Sequence, residues 1–145
     1  MAVNESYFPD LARTGYRLTS LPDPQYNCIA WAVGINDYWW WPDPDGFDHW
    51  PVGVPRQRTL AAFVLAFGTV GFLPCTDDSL EPGWEKIALY ATTDGPTHAA
   101  RQLKNGWWTS KLGPDDDIEH TLDGLCGSLY GTVIQLLRRP TSQDT

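Results

Sequence analysis

The pair Asn105-Gly106 is the strongest short hairpin signal in this chain, and it stands between the stretches 98–104 and 107–112. Both residues tolerate the positive φ angles that a two-residue β-hairpin turn requires. We therefore expect strands over 98–104 and 107–112, paired antiparallel. A chain with this hairpin must build a sheet from its second half.

The hairpin also predicts which residues face one another. Counting outward from a two-residue turn places Gln102 opposite Thr109 and His98 opposite Gly113. Because side chains alternate between the two faces of a strand, His98, Ala100 and Gln102 should share one face. His98 then begins one strand where the partner strand ends.

The other elements follow from the spacing of apolar residues. A short helix should begin near Cys28 and end at Gly34, and a longer helix should cover 56–69, where apolar residues recur at helical intervals. Further expected segments are strands over 86–91 and 130–138, and loops over 36–55 and 74–83. Because the helices precede the strands rather than alternate with them, we expect an α+β fold.

The length predicts one domain over 1–145, since a chain of 145 residues can bury a single core. Residues 1–25 contain three prolines and few periodic apolar positions, so we expect an arm that lies over the core. Residues 140–145 should form a frayed tail.

The charge balance restricts the possible partners. The chain has 10 basic and 18 acidic residues, a formal net charge of −8, so its surface should repel nucleic acid and anionic membranes. It shows no secretion signal and no run of the roughly 18 apolar residues that cross a membrane, which predicts a cytoplasmic protein, with delivery as an effector left open. Its histidines and cysteines lack metal-ligand spacing, so no metal or cofactor is expected. The oligomeric state stays open.

Cys28 is the candidate nucleophile. The three cysteines, Cys28, Cys75 and Cys126, cannot all pair within the chain, so at least one is a free thiol. Unpaired N–H groups at a helix start lower the pKa of a thiol, and Cys28 is expected at such a start. Those N–H groups, or the side chains of Gln25 and Asn27, are candidate oxyanion donors. The alternative is that all three cysteines are small core residues.

His98 is the candidate base for this thiol. A carboxylate beside the ring would hold one tautomer and stabilise the protonated form, as the third member of a catalytic triad does. We favour Asp117 for this role, because the acidic stretch 115–119 follows the partner strand. The substitutes for this third role are Asp116, Glu119, Gln102 and Ser110. The alternative is that the acidic residues form a solvated turn and that His98 is a core residue.

Four tryptophans form a second candidate site, namely Trp39, Trp40, Trp41 and Trp50. They would serve either as a stacking surface for a sugar or a partner protein, or as packing around the first helix. The prolines between them favour packing. A binding or regulatory module without catalytic activity is therefore the alternative to an enzyme, and an acidic regulator that covers a basic site is a further one.

Two segments resemble a known class of domain. Residues 97–113 are similar to a signature of papain-like domains in bacterial toxins and uncharacterised bacterial proteins: His, two residues, Arg-Gln, Asn-Gly, Trp, Ser-Lys and Gly. Residues 26–32 resemble the Asn-Cys-apolar-Ala-aromatic-Ala helix start of the same domains. Much of the chain also resembles a family of small bacterial proteins that share Trp-Trp-Trp-Pro, Gly-Val-Pro-Arg, Glu-Pro-Gly-x-Glu-Lys, Asp-Ile-Glu-His and Leu-Arg-Arg-Pro.

The resemblance implies a papain-like fold in which N-terminal helices pack on a C-terminal antiparallel sheet. It implies Cys28 as the nucleophile and His98 as the base. Ser110 stands where the toxin pattern often has His, so the third member stays open. The implied activity is hydrolysis of a peptide or isopeptide bond, deamidation or acyl transfer, with a protein or peptide as substrate.

Overall fold

The computed structural model describes residues 8, 10–20, 25–35, 38–112, 117–127 and 129–141. Its helices are α1 (Leu11–Thr14), α2 (Cys28–Ala32) and α3 (Leu60–Gly68), and a 3₁₀ turn covers Asp123–Leu125. Its strands are β1 (Tyr16–Ser20), β2 (Leu73–Cys75), β3 (Trp84–Thr92), β4 (Gly95–Gln102), β5 (Trp108–Lys111), β6 (Asp117–His120) and β7 (Thr132–Pro140). The α+β class expected from the sequence is therefore present.

The seven strands form one antiparallel sheet in the order β1-β6-β5-β4-β3-β7-β2, and both of its faces are covered. The face that packs against α2 and α3 is called the helix face, and it is lined by Ile87, Leu89, Ala99 and Leu137. The opposite face is called the histidine face, and it is lined by Ala88, Tyr90, Ala100, Trp108 and Ile118. Because neighbouring residues of a strand alternate between the faces, a shift of one position moves a side chain from one core to the other.

Helix α2 begins where the sequence predicts it. The Oδ1 atom of Asn27 accepts a hydrogen bond from the N–H of Ala30 at 3.1 Å, which satisfies a free donor at the helix start. Cys28 is the first helical residue, and Ile29 behind it is fully buried. The chain leaves the helix at Gly34, whose φ of +90° is strained for other residues.

Helix α3 starts later than predicted. We expected a helix over 56–69, but the first helical residue is Leu60. The side chain of Thr59 caps the helix by accepting a hydrogen bond from the N–H of Ala62 at 3.2 Å. A capping side chain requires an extended backbone at its own position, so the helix cannot begin before it.

The predicted register of the hairpin is wrong by one residue. Arg101 pairs with Thr109 and Gln102 with Trp108, because the loop has three residues instead of two. The N–H of Leu103 donates to the carbonyl of Trp107 at 2.7 Å, and only Gly106 in this loop has positive φ. This is the three-residue hairpin loop with glycine in the left-handed position.

Three strands, β1, β2 and β6, form where the sequence predicts none. The predicted N-terminal arm includes β1, which pairs with β6 at one edge of the sheet, and β2 at the other edge extends into the predicted loop 74–83. Edge strands pair on one side only, and the alternation of apolar and polar residues along them is weak. The tail beyond 141 lies outside the described residues. No helix in the described part of the chain is long and apolar enough to cross a bilayer.

Candidate functional site

The Cys28 side chain is buried where β4 and β5 separate. In this hairpin the N–H groups of Leu103, Arg101 and Ala99 alternate toward β5, but the pairing of β4 with β5 stops at Arg101. The N–H of Ala99 instead lies close enough to Cys28 to lower the pKa of its thiol. The thiol therefore lies beside the backbone of β4, one residue from His98.

Burial dominates the chemistry of this thiol. It raises the pKa of Cys28 to about 11 from 9.0, and the N–H groups of Ala99 and Ile29 offset this only in part. The N–H groups at the helix start lower this pKa as predicted, but the net shift is upward because the loss of solvent outweighs them. Near neutral pH Cys28 is a thiol, not a thiolate.

His98 lies fully buried on the histidine face between two tyrosines. Its ring stacks on Tyr130 with a centroid distance of 4.0 Å, and the Tyr90 ring meets it edge-on at 5.4 Å. The pKa of His98 is well below its ordinary value, chiefly because of burial and further because of nearby His120. The imidazole is therefore neutral near pH 7.

A chain of three hydrogen bonds fixes the tautomer of His98. The Nδ1 atom of His120 is 2.7 Å from the carbonyl oxygen of Thr121, which can only accept, so Nδ1 carries the proton. The Nε2 atom of His120 then accepts from the Ser110 hydroxyl at 2.6 Å. The Ser110 oxygen in turn accepts from Nε2 of His98 at 2.9 Å, which leaves the lone pair of His98 on Nδ1.

The structure does not join Cys28 to His98. Ala99 belongs to the helix face, so the ring of His98 projects to the other side of β4. Within the described residues Nδ1 of His98 has no hydrogen-bond partner, and Nε2 is bonded to Ser110. The expected thiol–imidazole hydrogen bond is therefore absent, although the two groups flank the same stretch of backbone.

The predicted carboxylate partners of His98 lie elsewhere. Asp117 accepts a hydrogen bond from the Tyr26 hydroxyl at 2.7 Å on the helix face. Glu119 shares that face and pairs with Arg17 at 2.8 Å. Asp116 lies outside the described residues. Alternation along β6 explains the correction, because Asp117 and Glu119 point away from the face that holds His98.

Ser110, one of the substitutes, is the residue that the structure brings to His98. The predicted supporting side chains have other contacts. Asn27 donates to the carbonyl of Trp40 at 2.8 Å and accepts from its N–H, in addition to capping α2. Gln102 donates to the carbonyl of Asp78 at 3.0 Å, and Gln25 is exposed. None of these contacts directs an amide at the Cys28 sulfur.

Trp40, Trp41 and Trp50 pack against the core, which is the alternative that the sequence favoured over a stacking surface. Trp40 and Trp50 are buried, and the rings of Trp41 and Trp50 meet Phe63 of α3 edge-on at 5.7 Å and 5.1 Å. Trp39 is half-buried. The most exposed apolar side chains in the described part of the loop are Phe47 and Val52.

His120 is the site residue that sequence reasoning missed. The sequence predicts no strand at 117–120, so nothing places His120 beside the hairpin. Its spacing along β6 could have revealed it. His120 is two positions after Ile118, so both side chains lie on the same face of the sheet, and Ile118 is a buried residue of the histidine face. In the described part of the chain no group of three His, Cys, Asp or Glu side chains is arranged to hold a metal ion.

Comparison with known proteins gives a family but no activity. No curated protein and no solved structure matches the chain. A family model described as a domain of unknown function, DUF7689, matches residues 17–138. The match runs from β1 into β7 and includes Cys28, His98, Ser110 and His120. The chain therefore belongs to the DUF7689 family.

Proposed function

We propose that the protein is a papain-like cysteine hydrolase that cleaves an amide bond in a protein or peptide, or transfers its acyl group. Cys28 is the nucleophile, His98 is the base, and Ser110 orients His98. The fold supports this proposal in one respect: the helix that begins with Cys28 packs on β4, the strand that carries His98, on the face opposite to the His98 ring. The cytoplasmic location expected from the sequence is part of the same proposal.

The observation that supports it most is the unpaired Nδ1 atom of His98. A general base needs a lone pair that no other group occupies, and it needs a partner that fixes its orientation. The hydrogen bond from Nε2 to Ser110 supplies the orientation and leaves Nδ1 as the basic atom. The backbone N–H of the very next residue, Ala99, is close enough to Cys28 to lower the pKa of its thiol.

The protonation states define the order of events. The thiol is neutral because burial raises its pKa to about 11, and the imidazole is neutral because burial lowers its pKa. The resting pair is therefore a thiol and an imidazole rather than a thiolate and an imidazolium. The proton moves to Nδ1 of His98 as the sulfur attacks, not before.

The proposed reaction needs only the Cys28 thiol, the His98 imidazole and water. The sulfur forms a bond to the acyl carbon, its proton passes to Nδ1 of His98, and backbone N–H groups near Cys28 hold the oxyanion. The carbon–nitrogen bond then breaks, and the leaving amine takes the proton from His98. Water attacks the thioester with His98 as base, which releases the acid and restores the thiol.

The reaction requires a movement. Cys28 is only 6% exposed, and its sulfur is not hydrogen-bonded to His98. An acyl group reaches the sulfur only after local opening. Because the His98 ring lies on the side of β4 opposite to the thiol, this part of β4 must also rotate before Nδ1 comes within roughly 3 Å of the sulfur.

Acylation of a single-cysteine protein tests the proposal. Cys75 and Cys126 are partly exposed free thiols, so both are replaced by Ser to leave Cys28 alone. The folded protein is treated with 4-nitrophenyl acetate, and intact mass and nitrophenol release are followed. We expect one acetyl group on Cys28, lost in Cys28→Ala, and a rate lowered about 100-fold in His98→Gln.

Two outcomes contradict the proposal. An acetyl adduct of equal extent in Cys28→Ala excludes Cys28 as the nucleophile. An equal acylation rate in His98→Gln excludes His98 as the base, provided that circular dichroism shows the variant to be folded. Ser110→Ala is the matched control for orientation, and its rate should lie between those of the parent and His98→Gln.

A second candidate function is a binding module without catalysis. Phe47 is 86% exposed and Val52 fully exposed, on a loop that is firmly held. Arg56 donates to the carbonyls of Asp43 and Asp48 at 2.9 Å, and Asp43 accepts from two N–H groups of the loop. A rigid loop that presents apolar side chains favours contact with a protein. Acylation of Cys28 only after unfolding in urea would favour this function.

A further inference from the structure

His120 occupies a position that no packing requirement explains. It lies opposite Trp108 across β5 and β6 and is fully buried on the histidine face. An apolar residue would fill this place without the cost of burying two ring nitrogens. Both nitrogens are satisfied, one by the Thr121 carbonyl and the other by the Ser110 hydroxyl.

The direction of the Ser110 hydroxyl depends on His120. A serine hydroxyl has one proton and can donate to only one partner at a time. Nε2 of His120 accepts that proton, so the Ser110 oxygen must act as an acceptor toward His98. Without His120, Ser110 is free to donate to Nε2 of His98.

That reversal would place the proton of His98 on Nδ1. Nδ1 is the atom without a partner among the described residues, and in the proposed reaction it must carry the lone pair. The neighbouring hydroxyl of Tyr90 cannot substitute for His120, because it donates to the carbonyl of Leu122 at 2.8 Å. Tyr130 contacts His98 through its ring face. His120 is thus the group that selects the tautomer.

We propose that His120 is a positioning residue of the thiol site, which acts through Ser110 to keep the proton of His98 on Nε2 and the lone pair on Nδ1. The inference rests on the proposed function for its catalytic meaning. The control of the His98 tautomer by His120, through two hydrogen bonds, can be measured without any reaction.

The fold offers a way to test His120 by chemical rescue. His120 borders a cavity of about 510 Å³, which is also lined by Asn105, Trp107, Leu122 and Asp123. Replacement by Gly removes the ring and opens a space beside this cavity, and engineered spaces of ring size bind small molecules. Imidazole fits such a space and offers both an acceptor and a donor. Pyrrole has the same size and a donor only, so it is the matched control.

The first measurement is the tautomer of His98 by ¹⁵N NMR of ring nitrogens in the Cys28→Ala protein, which cannot react. We expect the Nε2–H form in the parent and loss of that form in His120→Gly and Ser110→Ala. Imidazole should restore it in His120→Gly, whereas pyrrole should not. An unchanged Nε2–H form in a folded His120→Gly or Ser110→Ala protein overturns the proposal.

The second measurement is acetylation of the protein with Cys28 as sole cysteine. We expect His120→Gly to lower the rate by about 10-fold or more and imidazole to restore it. If the parent itself is never acetylated, the proposed hydrolase function fails, and the tautomer measurement still tests the role of His120 independently.

If His120→Gly does not fold, His120→Gln keeps an acceptor near the Nε2 position and should retain the Nε2–H form of His98. Loss of that form in a folded His120→Gln protein then also overturns the proposal.

Discussion

At the scale of single residues, His98, Ser110 and His120 tolerate burial because each supplies a donor or acceptor that the next one needs. Burial of an unpaired polar group costs about 1–3 kcal/mol, and two of the three residues have every side-chain nitrogen or oxygen bonded. The exception is Nδ1 of His98. An unsatisfied atom in an otherwise complete network suggests a functional requirement.

We expect this network to make the free energy of unfolding depend on pH. The folded protein holds the pKa of His120 at about 4, against 6.5 for the free side chain, and also lowers the pKa of His98. The unfolded chain therefore binds protons first as the pH falls. The stabilisation is complete above pH 6.5 and is lost as the pH falls from 6.5 to about 4, a change of about 3 kcal/mol from His120 alone.

Urea unfolding at about pH 7.5 and about pH 5 measures this effect. The loss between the two pH values should be about 2 kcal/mol smaller in His120→Gln than in the parent. An identical loss in both proteins would show that the buried imidazole does not control the acid response.

At the scale of secondary structure, the capping residue of α2 makes more hydrogen bonds than the capping residue of α3. Asn27 is buried and makes three hydrogen bonds, one to the Ala30 N–H and two to the backbone of Trp40. It therefore joins the Cys28 helix to the aromatic loop. Thr59 is exposed and makes a single capping bond to Ala62.

Alanine substitutions at the two caps should differ in cost. Asn27→Ala leaves two buried N–H groups and one carbonyl without partners, so we expect a loss of about 2–4 kcal/mol in the free energy of unfolding. Thr59→Ala should cost about 1 kcal/mol, because water can reach the freed N–H. Urea titration of both variants measures the difference, and equal costs would mean that the Trp40 bonds contribute nothing.

At the scale of the whole molecule, the chain after β6 closes the histidine face. Residues Gly127 and Gly131 pair with each other and position Tyr130 on His98. Gly131 has a φ of +80°, and a Cβ atom there would overlap the carbonyl oxygen of Ala91 in β3. The close approach of two backbones thus holds the aromatic cover over the histidine.

Gly131→Ala should disturb this cover, whereas Gly106→Ala should not. Gly106 also has positive φ, at +90°, but its substituent would meet open space. We expect about 1 kcal/mol for Gly106→Ala from backbone strain alone, and at least about 3 kcal/mol for Gly131→Ala. Unfolding curves and the NMR signals of the His98 ring measure both effects. A Gly131→Ala protein with unchanged ring signals would contradict this account.

The local elements were predictable because their causes are local. The apolar residues from Ile29 to Val33 mark α2, and the apolar stripe from Leu60 to Phe67 marks α3, although not its start. The Asn105-Gly106 turn marks the hairpin. Cys28 at a helix start and His98 on a strand follow from those same short-range patterns, as does the order of helices before most strands.

The contacts of the candidate site were decided only by the tertiary structure. Whether Ser110 or Asp117 reaches His98 depends on which face of the sheet each side chain occupies, and that depends on pairing between strands far apart in sequence. A three-residue loop instead of a two-residue turn changed the register by one position. The burial that sets the pKa of Cys28 and His98 is likewise a property of the assembled core, because no segment excludes water by itself.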